Sequence, residues 1–234
     1  MLRKASVRRL YHLMWLVTSG VLACSGEVAA PTSLPLGPNP PVPPIPPVPK
    51  VPILVIDDFD RASLGAAWSI QPNTGAVVSL GNGDLGTGSG NLLIASYIGA
   101  VFPGDQFSEA EFSAAYDNSA LKGVQVFVRR QDGPGVTPWR YGFYYNGPTQ
   151  KWTIKYDGGP TAGTDFMREI AGAPPAPGDV IRIEARGTLL RGLLNGVEVA
   201  RVTDARLTSG LAGVAINPWR AAPRTVARWT GGSL

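Results

Sequence analysis

Histidine and cysteine, the residues that most often carry catalysis or bind zinc, are almost absent from this sequence. The chain of 234 residues has one of each, His12 and Cys24. Both lie within the first 24 residues, so the remainder of the chain has neither. Catalysis by a Ser-His-Asp or Cys-His arrangement and zinc binding through Cys and His are therefore excluded there, as is an intrachain disulfide.

Polar and aromatic residues in two neighbouring segments are the main candidates for ligand binding. They alternate with apolar residues around Val124–Val128 and Tyr141–Tyr145, and they are Gln125, Phe127, Arg129, Arg140 and Tyr144. Because alternate side chains of a strand point to opposite faces, we expect these five to share one exposed face. Phe127 and Tyr144 would form a stacking pair for sugar rings, with polar neighbours fixing hydroxyls. The alternative is a solvent-facing sheet whose aromatics are isolated and bind nothing.

Two smaller groups of residues are further candidates. Binding residues often lie in loops beside strands, and the loop-like segments here contain Trp139, Trp219 and Arg220. Calcium is the one cofactor considered, because carboxylate oxygens ligate it. Its candidate ligands are Asp57, Asp60 and Asp84. The sequence does not establish that their loops converge, so no metal site is assigned.

The elements that must position these residues are short strands. Period-2 alternation recurs in Val124–Val128, Tyr141–Tyr145, Trp152–Tyr156 and Ile181–Ala185, and no window has a helical apolar stripe. Asn146-Gly147-Pro148 begins one hairpin loop, and Asn195-Gly196 is a strong signal for another. The pattern predicts an all-β, antiparallel jelly-roll β-sandwich over residues 53–234.

The first 23 residues have the pattern of an export signal. A basic start from Arg3 to Arg9 precedes a 14-residue apolar run, Leu10–Ala23, which is shorter than the ~20 residues that span a bilayer. Val21-Leu22-Ala23-Cys24 resembles the lipobox of bacterial lipoproteins. The resemblance implies a lipid on Cys24, membrane attachment and, with Ser25 next, an outer-membrane location. An ordinary signal peptide with a chance cysteine is the alternative.

Residues 24–52 are predicted to be a spacer. Half of the residues from Pro31 to Pro52 are proline, 11 of 22, which favours an extended polyproline conformation. The net charge of the chain is +4, but the first 23 residues supply four basic and no acidic residues, leaving 17 of each sign. A nucleic-acid partner is therefore not predicted.

Several segments resemble concanavalin A-like lectin/glucanase (laminin-G-like) domains over about residues 57–232. The opening Asp57–Ala62 with Trp68 is similar to theirs, as are Gly178–Ala185, Leu194-Asn195-Gly196-Val197 and Ser209–Gly213. The resemblance implies a jelly roll. It does not imply one ligand, because this fold carries lectins, hydrolases, lyases and structural modules.

The catalytic motifs of these relatives are incomplete in this chain. Glucanases of the fold place Glu-x-Asp-x-Glu carboxylates on one strand face, whereas Glu109-Ala110-Glu111 lacks the third, and Asp58-Phe59-Asp60 falls in the opening strand and turn. Alginate lyases of the fold use a histidine that this chain lacks after His12. An enzyme is therefore not predicted.

The sequence thus favours a non-catalytic module that binds polysaccharide or another glycan, exported and attached to a membrane through Cys24. The alternative is a structural or protein-interaction module of the envelope without a sugar site. A glycoside hydrolase is a third and weaker hypothesis.

Overall fold

The computed structural model describes residues 52–71, 75–81, 83–87, 91–114, 123–132, 138–158, 163–217 and 226–234. The described residues belong to one compact unit, Pro49–Leu234. The predicted leader, Cys24 and most of the spacer lie outside them. The described residues include no helix with the length and apolar character needed to cross a membrane.

Two antiparallel sheets make up the described part of the chain. Across the first sheet the strands run β13, β12, β11, β6, β15, β4 and β3, with β1 also paired to β15. Its strands are β1 (Leu54–Asp57), β3 (Val78–Gly81), β4 (Asp84–Thr87), β6 (Gln106–Phe112), β11 (Val180–Arg186), β12 (Leu189–Leu194), β13 (Val197–Thr203) and β15 (Val226–Ser233).

The second sheet carries the candidate ligand-binding segments. Its strands run in the order β10, β9, β8, β7, β14, β5 and β2. They are β2 (Trp68–Ile70), β5 (Leu93–Tyr97), β7 (Val124–Gln131), β8 (Trp139–Asn146), β9 (Lys151–Asp157), β10 (Thr164–Ala171) and β14 (Leu211–Ile216). The predicted all-β sandwich is confirmed.

The main core lies between the two sheets and contains the apolar rows that alternation predicted. Val124, Val126 and Val128 are among its buried members, with the inward rows of β8, β9 and β11. One buried hydrogen bond within the first sheet leads to another that joins the two sheets. Trp229 of β15 donates from Nε1 to Ser108 Oγ at 2.9 Å, and Ser108 of β6 donates to the Gly213 carbonyl of β14 at 2.8 Å.

Both predicted hairpins are present. Asn195 and Gly196 join β12 to β13 with φ of 51° and 78°, so both central residues adopt the left-handed conformation that the tightest hairpin turns require. Gly147–Gln150 join β8 to β9, and the Gln150 amide donates to the Gly147 carbonyl at 3.1 Å. The Gly147–Gln150 hairpin fixes the register of strands β8 and β9, which position the candidate residues.

Candidate functional site on the outer face of the second sheet

The candidate residues lie on what we term the outer face, the side of β7, β8 and β9 that points away from the main core. Gln125 of β7 pairs with Tyr144 of β8, and Phe127 with Gly142. Tyr144 pairs in turn with Thr153 of β9. Paired residues of antiparallel strands point to the same face, so the prediction that Gln125, Phe127 and Tyr144 share a face opposite the valine row is correct.

The prediction that Phe127 and Tyr144 form an exposed stacking pair is wrong. Both side chains are 0% exposed. Phe127 belongs to a second apolar cluster with Ile94 and Ala215, and its ring lies over Gly213, where a Cβ would approach it to 2.7 Å. Strand parity gives the face of a side chain, but it does not give the packing on that face.

Cations, rather than open space, lie beside both aromatic rings. The guanidinium carbon of Arg140 is 5.3 Å from the centre of the Phe127 ring, and Lys155 Nζ is 5.3 Å from that of Tyr144. Cation–π attraction is stronger where water is excluded, and Arg140 and Lys155 are 3% and 1% exposed. The outer face is thus a buried layer of aromatic and charged groups.

Arg129 does not join this layer, contrary to the prediction. A β-bulge between Val128 and Gln131 places Arg129 at φ 53°. Its guanidinium donates to the carbonyls of Gly104 and Leu207, both at 2.9 Å. The bulge interrupts the alternation on which the prediction depended.

Arg130 occupies the outer-face position that strand alternation predicted for Arg129. It pairs with Leu211 of β14, two residues before Gly213, and Gly213 pairs with Phe127. Arg130 therefore points to the outer face with Phe127, where it is 7% exposed. Its guanidinium contacts the exposed carboxylate of Asp132 at 2.9 Å. Sequence alternation alone misses Arg130, because nothing in the local pattern marks the bulge.

One buried carboxylate, Asp157 of β9, is shared by two of the cations. Arg140 Nη2 donates to Asp157 Oδ2 at 3.0 Å, and Lys155 Nζ lies 2.5 Å from the same oxygen. Burial lowers the pKa of Arg140, and the nearby Arg130 acts in the same direction, while Asp157 opposes both effects. Asp157 thus pairs with a cation from its own strand and with one from β8.

Several buried polar atoms of this face have no hydrogen-bond partner within the described part of the chain. They are Ser96 Oγ, Gln125 Nε2, Arg130 Nε, Arg140 Nε and Nη1, Asn146 Oδ1 and Thr153 Oγ1. A buried polar group left without a partner costs roughly 1–3 kcal/mol. Such a concentration on one sheet face is therefore a cost to the stability of the fold.

The outer face meets solvent at the edge strand β10. Phe166 pairs with Lys155, so it points to the same side, and it is 51% exposed. An exposed aromatic ring beside a polar face suits stacking on a sugar. Sequence analysis missed Phe166 because β10 carries a bulge between Phe166 and Arg168 that breaks its alternation.

The remaining candidates do not join this face. Trp139 is half-buried against the main core at the start of β8, not in a loop as predicted. Trp219 and Arg220 lie outside the described residues.

Asp57, the first candidate calcium ligand, forms an ion pair with Arg61. Both carboxylate oxygens of Asp57 accept hydrogen bonds, from Arg61 at 2.7 and 2.6 Å and from Trp68 Nε1 at 2.6 Å. Burial raises the pKa of Asp57, but these bonds outweigh burial and lower it below its ordinary value. Within the described ranges, no group of three or more His, Cys, Asp or Glu side chains is placed to hold a metal ion.

The outer face of the first sheet is different, because its charges are paired. Glu109, from the incomplete glucanase motif, lies 3.6 Å from Arg182, which also contacts Glu184 at 2.9 Å. Glu111, the other carboxylate of that motif, is ion-paired with Arg228. Each carboxylate of the incomplete motif is thus held beside an arginine.

No protein-family model and no curated protein sequence matches the chain. Solved structures share its fold at low sequence identity. The carbohydrate-binding module CBM66 from Bacillus subtilis is 11% identical with a TM-score of 0.51, covering 68% of this chain and 91% of that one. A protein of unknown function with a galectin-like fold, also from Bacillus subtilis, is 10% identical with a TM-score of 0.55, covering 76% and 93%. Crh5 transglycosylase in complex with NAG is 15% identical with a TM-score of 0.51, covering 77% and 83%.

These similarities show the fold, a galectin-like or concanavalin A-like β-sandwich, and they agree with the resemblance read from the sequence. The same fold serves a carbohydrate-binding module and a transglycosylase. Function must therefore be argued from the site of this chain.

Proposed function

We propose that this chain is a non-catalytic carbohydrate-binding module, and that the outer face of the second sheet is its sugar site. The observation that carries the proposal is the ring of Phe166, which is 51% exposed at the β10 edge of that face. A sugar can stack on such a ring.

The fold neighbours support this class of function. One is a carbohydrate-binding module, and another is an enzyme solved with NAG. A hydrolytic role has less support. Glu109 and Glu111 lie on the first sheet, where each is ion-paired with an arginine of the same sheet. The three-carboxylate motif that the sequence lacks would be needed as well.

A second candidate, a protein-interaction module, finds support in the first sheet. Its outer face carries a row of alternating charges that continues from Glu184 through Arg191 and Glu198 to Arg201. Such a surface can meet a charged protein partner. Each charge in this row, however, already has an oppositely charged partner within the row.

We also propose that the module is exported and attached to a membrane through a lipid on Cys24, with residues 24–52 as its spacer. This part of the proposal rests on the sequence pattern of residues 1–52. The spacer would hold the β-sandwich away from the membrane, where a polysaccharide can reach it.

A glycan-array screen of the full chain tests the proposed function, and Phe166→Ala tests the site. Alanine removes the exposed ring from the edge strand, so we expect weaker glycan binding with the fold retained. The matched control is Val197→Ala, which shortens a side chain that is 67% exposed on the first sheet. Its glycan binding should be unchanged. A chain that binds no glycan would contradict the function, and equal binding by Phe166→Ala would contradict the site.

A further inference from the structure

An ion pair open to solvent lies at the same margin of the outer face as Phe166. Lys151 Nζ is 3.1 Å from Glu169 Oε2, and the two side chains are 40% and 30% exposed. The pair links the start of β9 to the later part of the edge strand β10. Exposed ion pairs contribute little to the stability of a fold. Both groups can therefore turn toward a ligand at small cost.

Strand pairing places Glu169 and Phe166 on the same face. Phe166 pairs with Lys155, and Glu169 pairs with Thr153, two residues earlier on β9. Residues two apart in a strand point to the same side and are separated by roughly 7 Å. The bulge between Phe166 and Arg168 adds the extra residue in β10. A sugar ring stacked on Phe166 can therefore bring its hydroxyl groups to Glu169.

The ion pair presents a hydrogen-bond acceptor and a donor side by side. Their separation of 3.1 Å is close to that of the hydroxyl oxygens on adjacent carbons of a sugar ring. A carboxylate has a second oxygen and an ammonium group has two further N–H donors, so Glu169 and Lys151 can both hydrogen-bond a ligand while they stay paired. Because their charges cancel, the pair suits a neutral sugar.

We infer that this margin of the outer face binds a neutral sugar with free hydroxyl groups on two adjacent carbons, and that Glu169 and Lys151 recognise those hydroxyls. The inference rests on the proposed function and deepens it. The ring stacks on Phe166, one hydroxyl donates to the carboxylate of Glu169, and its neighbour accepts from the ammonium group of Lys151. Hydrogen bonds to charged groups are stronger than those between neutral groups. The pair therefore selects sugars that offer adjacent hydroxyls.

The test measures binding of the full chain, in neutral detergent, to four immobilised neutral polysaccharides. Dextran, xylan and galactomannan have chain residues with free hydroxyls on adjacent carbons. Curdlan is the comparison, because its linkage occupies the carbon between the free ring hydroxyls and leaves no adjacent pair within the chain. We expect at least one of the first three polymers to bind at least about tenfold more tightly than curdlan.

Glu169→Gln and Lys151→Met locate the recognition. Each should weaken binding of the tightest polymer at least about tenfold, because each removes a charged partner of a hydroxyl and keeps Phe166. The matched control is Glu198→Gln, which removes a partly exposed carboxylate that lies 2.8 Å from Arg201 on the first sheet. Its binding should be unchanged. The four polymers are compared with the unmodified chain, so they test the inference even if a variant fails to fold.

The outcomes separate this inference from the proposed function. The inference is overturned if curdlan binds as tightly as the other polymers, if none of the four binds, or if either variant binds like the unmodified chain. Equal loss in Glu198→Gln overturns it as well. The proposed function stands in each of these cases if a glycan on the array is bound and Phe166→Ala weakens that binding. Binding of no glycan at all, in these assays or on the array, overturns both.

Discussion

The hydroxyl of Thr153 gives the sharpest test of whether the unpartnered polar groups of the outer face lower the stability of the fold. Thr153 is 0% exposed, and its Oγ1 has no hydrogen-bond partner in the described part of the chain. Thr153→Val replaces the hydroxyl by a methyl group of similar size and keeps a β-branched residue in the strand. An unpartnered buried hydroxyl costs roughly 1–3 kcal/mol, so we expect the free energy of unfolding to rise by about 1 kcal/mol. For a domain of this size that corresponds to about 2–4 °C in melting temperature.

A matched threonine on the neighbouring strand provides the control. Thr164 of β10 donates from Oγ1 to Asp157 Oδ1 at 3.0 Å, so Thr164→Val breaks a hydrogen bond instead of removing an unpartnered group. Its free energy of unfolding should fall by about 0.5–1.5 kcal/mol. The measurement is urea unfolding of residues 49–234, followed by tryptophan fluorescence, with the slope against urea compared between variants.

A loss of stability in Thr153→Val comparable to that in Thr164→Val would refute the reasoning, because it would show that the hydroxyl already has a partner.

Two other predictions concern packing and export. Phe127→Ala should lower the free energy of unfolding by about 3–5 kcal/mol, because it leaves a cavity at a fully buried site. Phe166→Ala, on the same face but half exposed, should lower it by less than about 1 kcal/mol. Similar urea midpoints for the two variants would show that Phe127 is not packed as described. Cys24→Ala should release the protein from the membrane fraction of the producing cells, as followed by immunoblotting after ultracentrifugation, and a variant that stays with the membranes would contradict lipid attachment through this residue.

Local sequence was sufficient to predict the strands and most of the residues that share the outer face. Alternation in β7 and β8 placed Gln125, Phe127 and Tyr144 on one face because side-chain direction in a strand depends only on position. The Asn195-Gly196 hairpin was equally predictable, because its two residues tolerate positive φ and few others do. The missing third carboxylate of the glucanase motif is likewise a property of the amino-acid sequence alone.

Tertiary structure alone decided the burial of that face and the identity of its arginine. Phe127 is buried because Ile94 and Ala215, distant in sequence, pack beside it. Arg129 leaves the face because the carbonyls of Gly104 and Leu207 satisfy its guanidinium and stabilise the bulge, and Arg130 then takes its place. Alternation describes one strand at a time, whereas burial and bulges depend on partners that only the folded chain brings together.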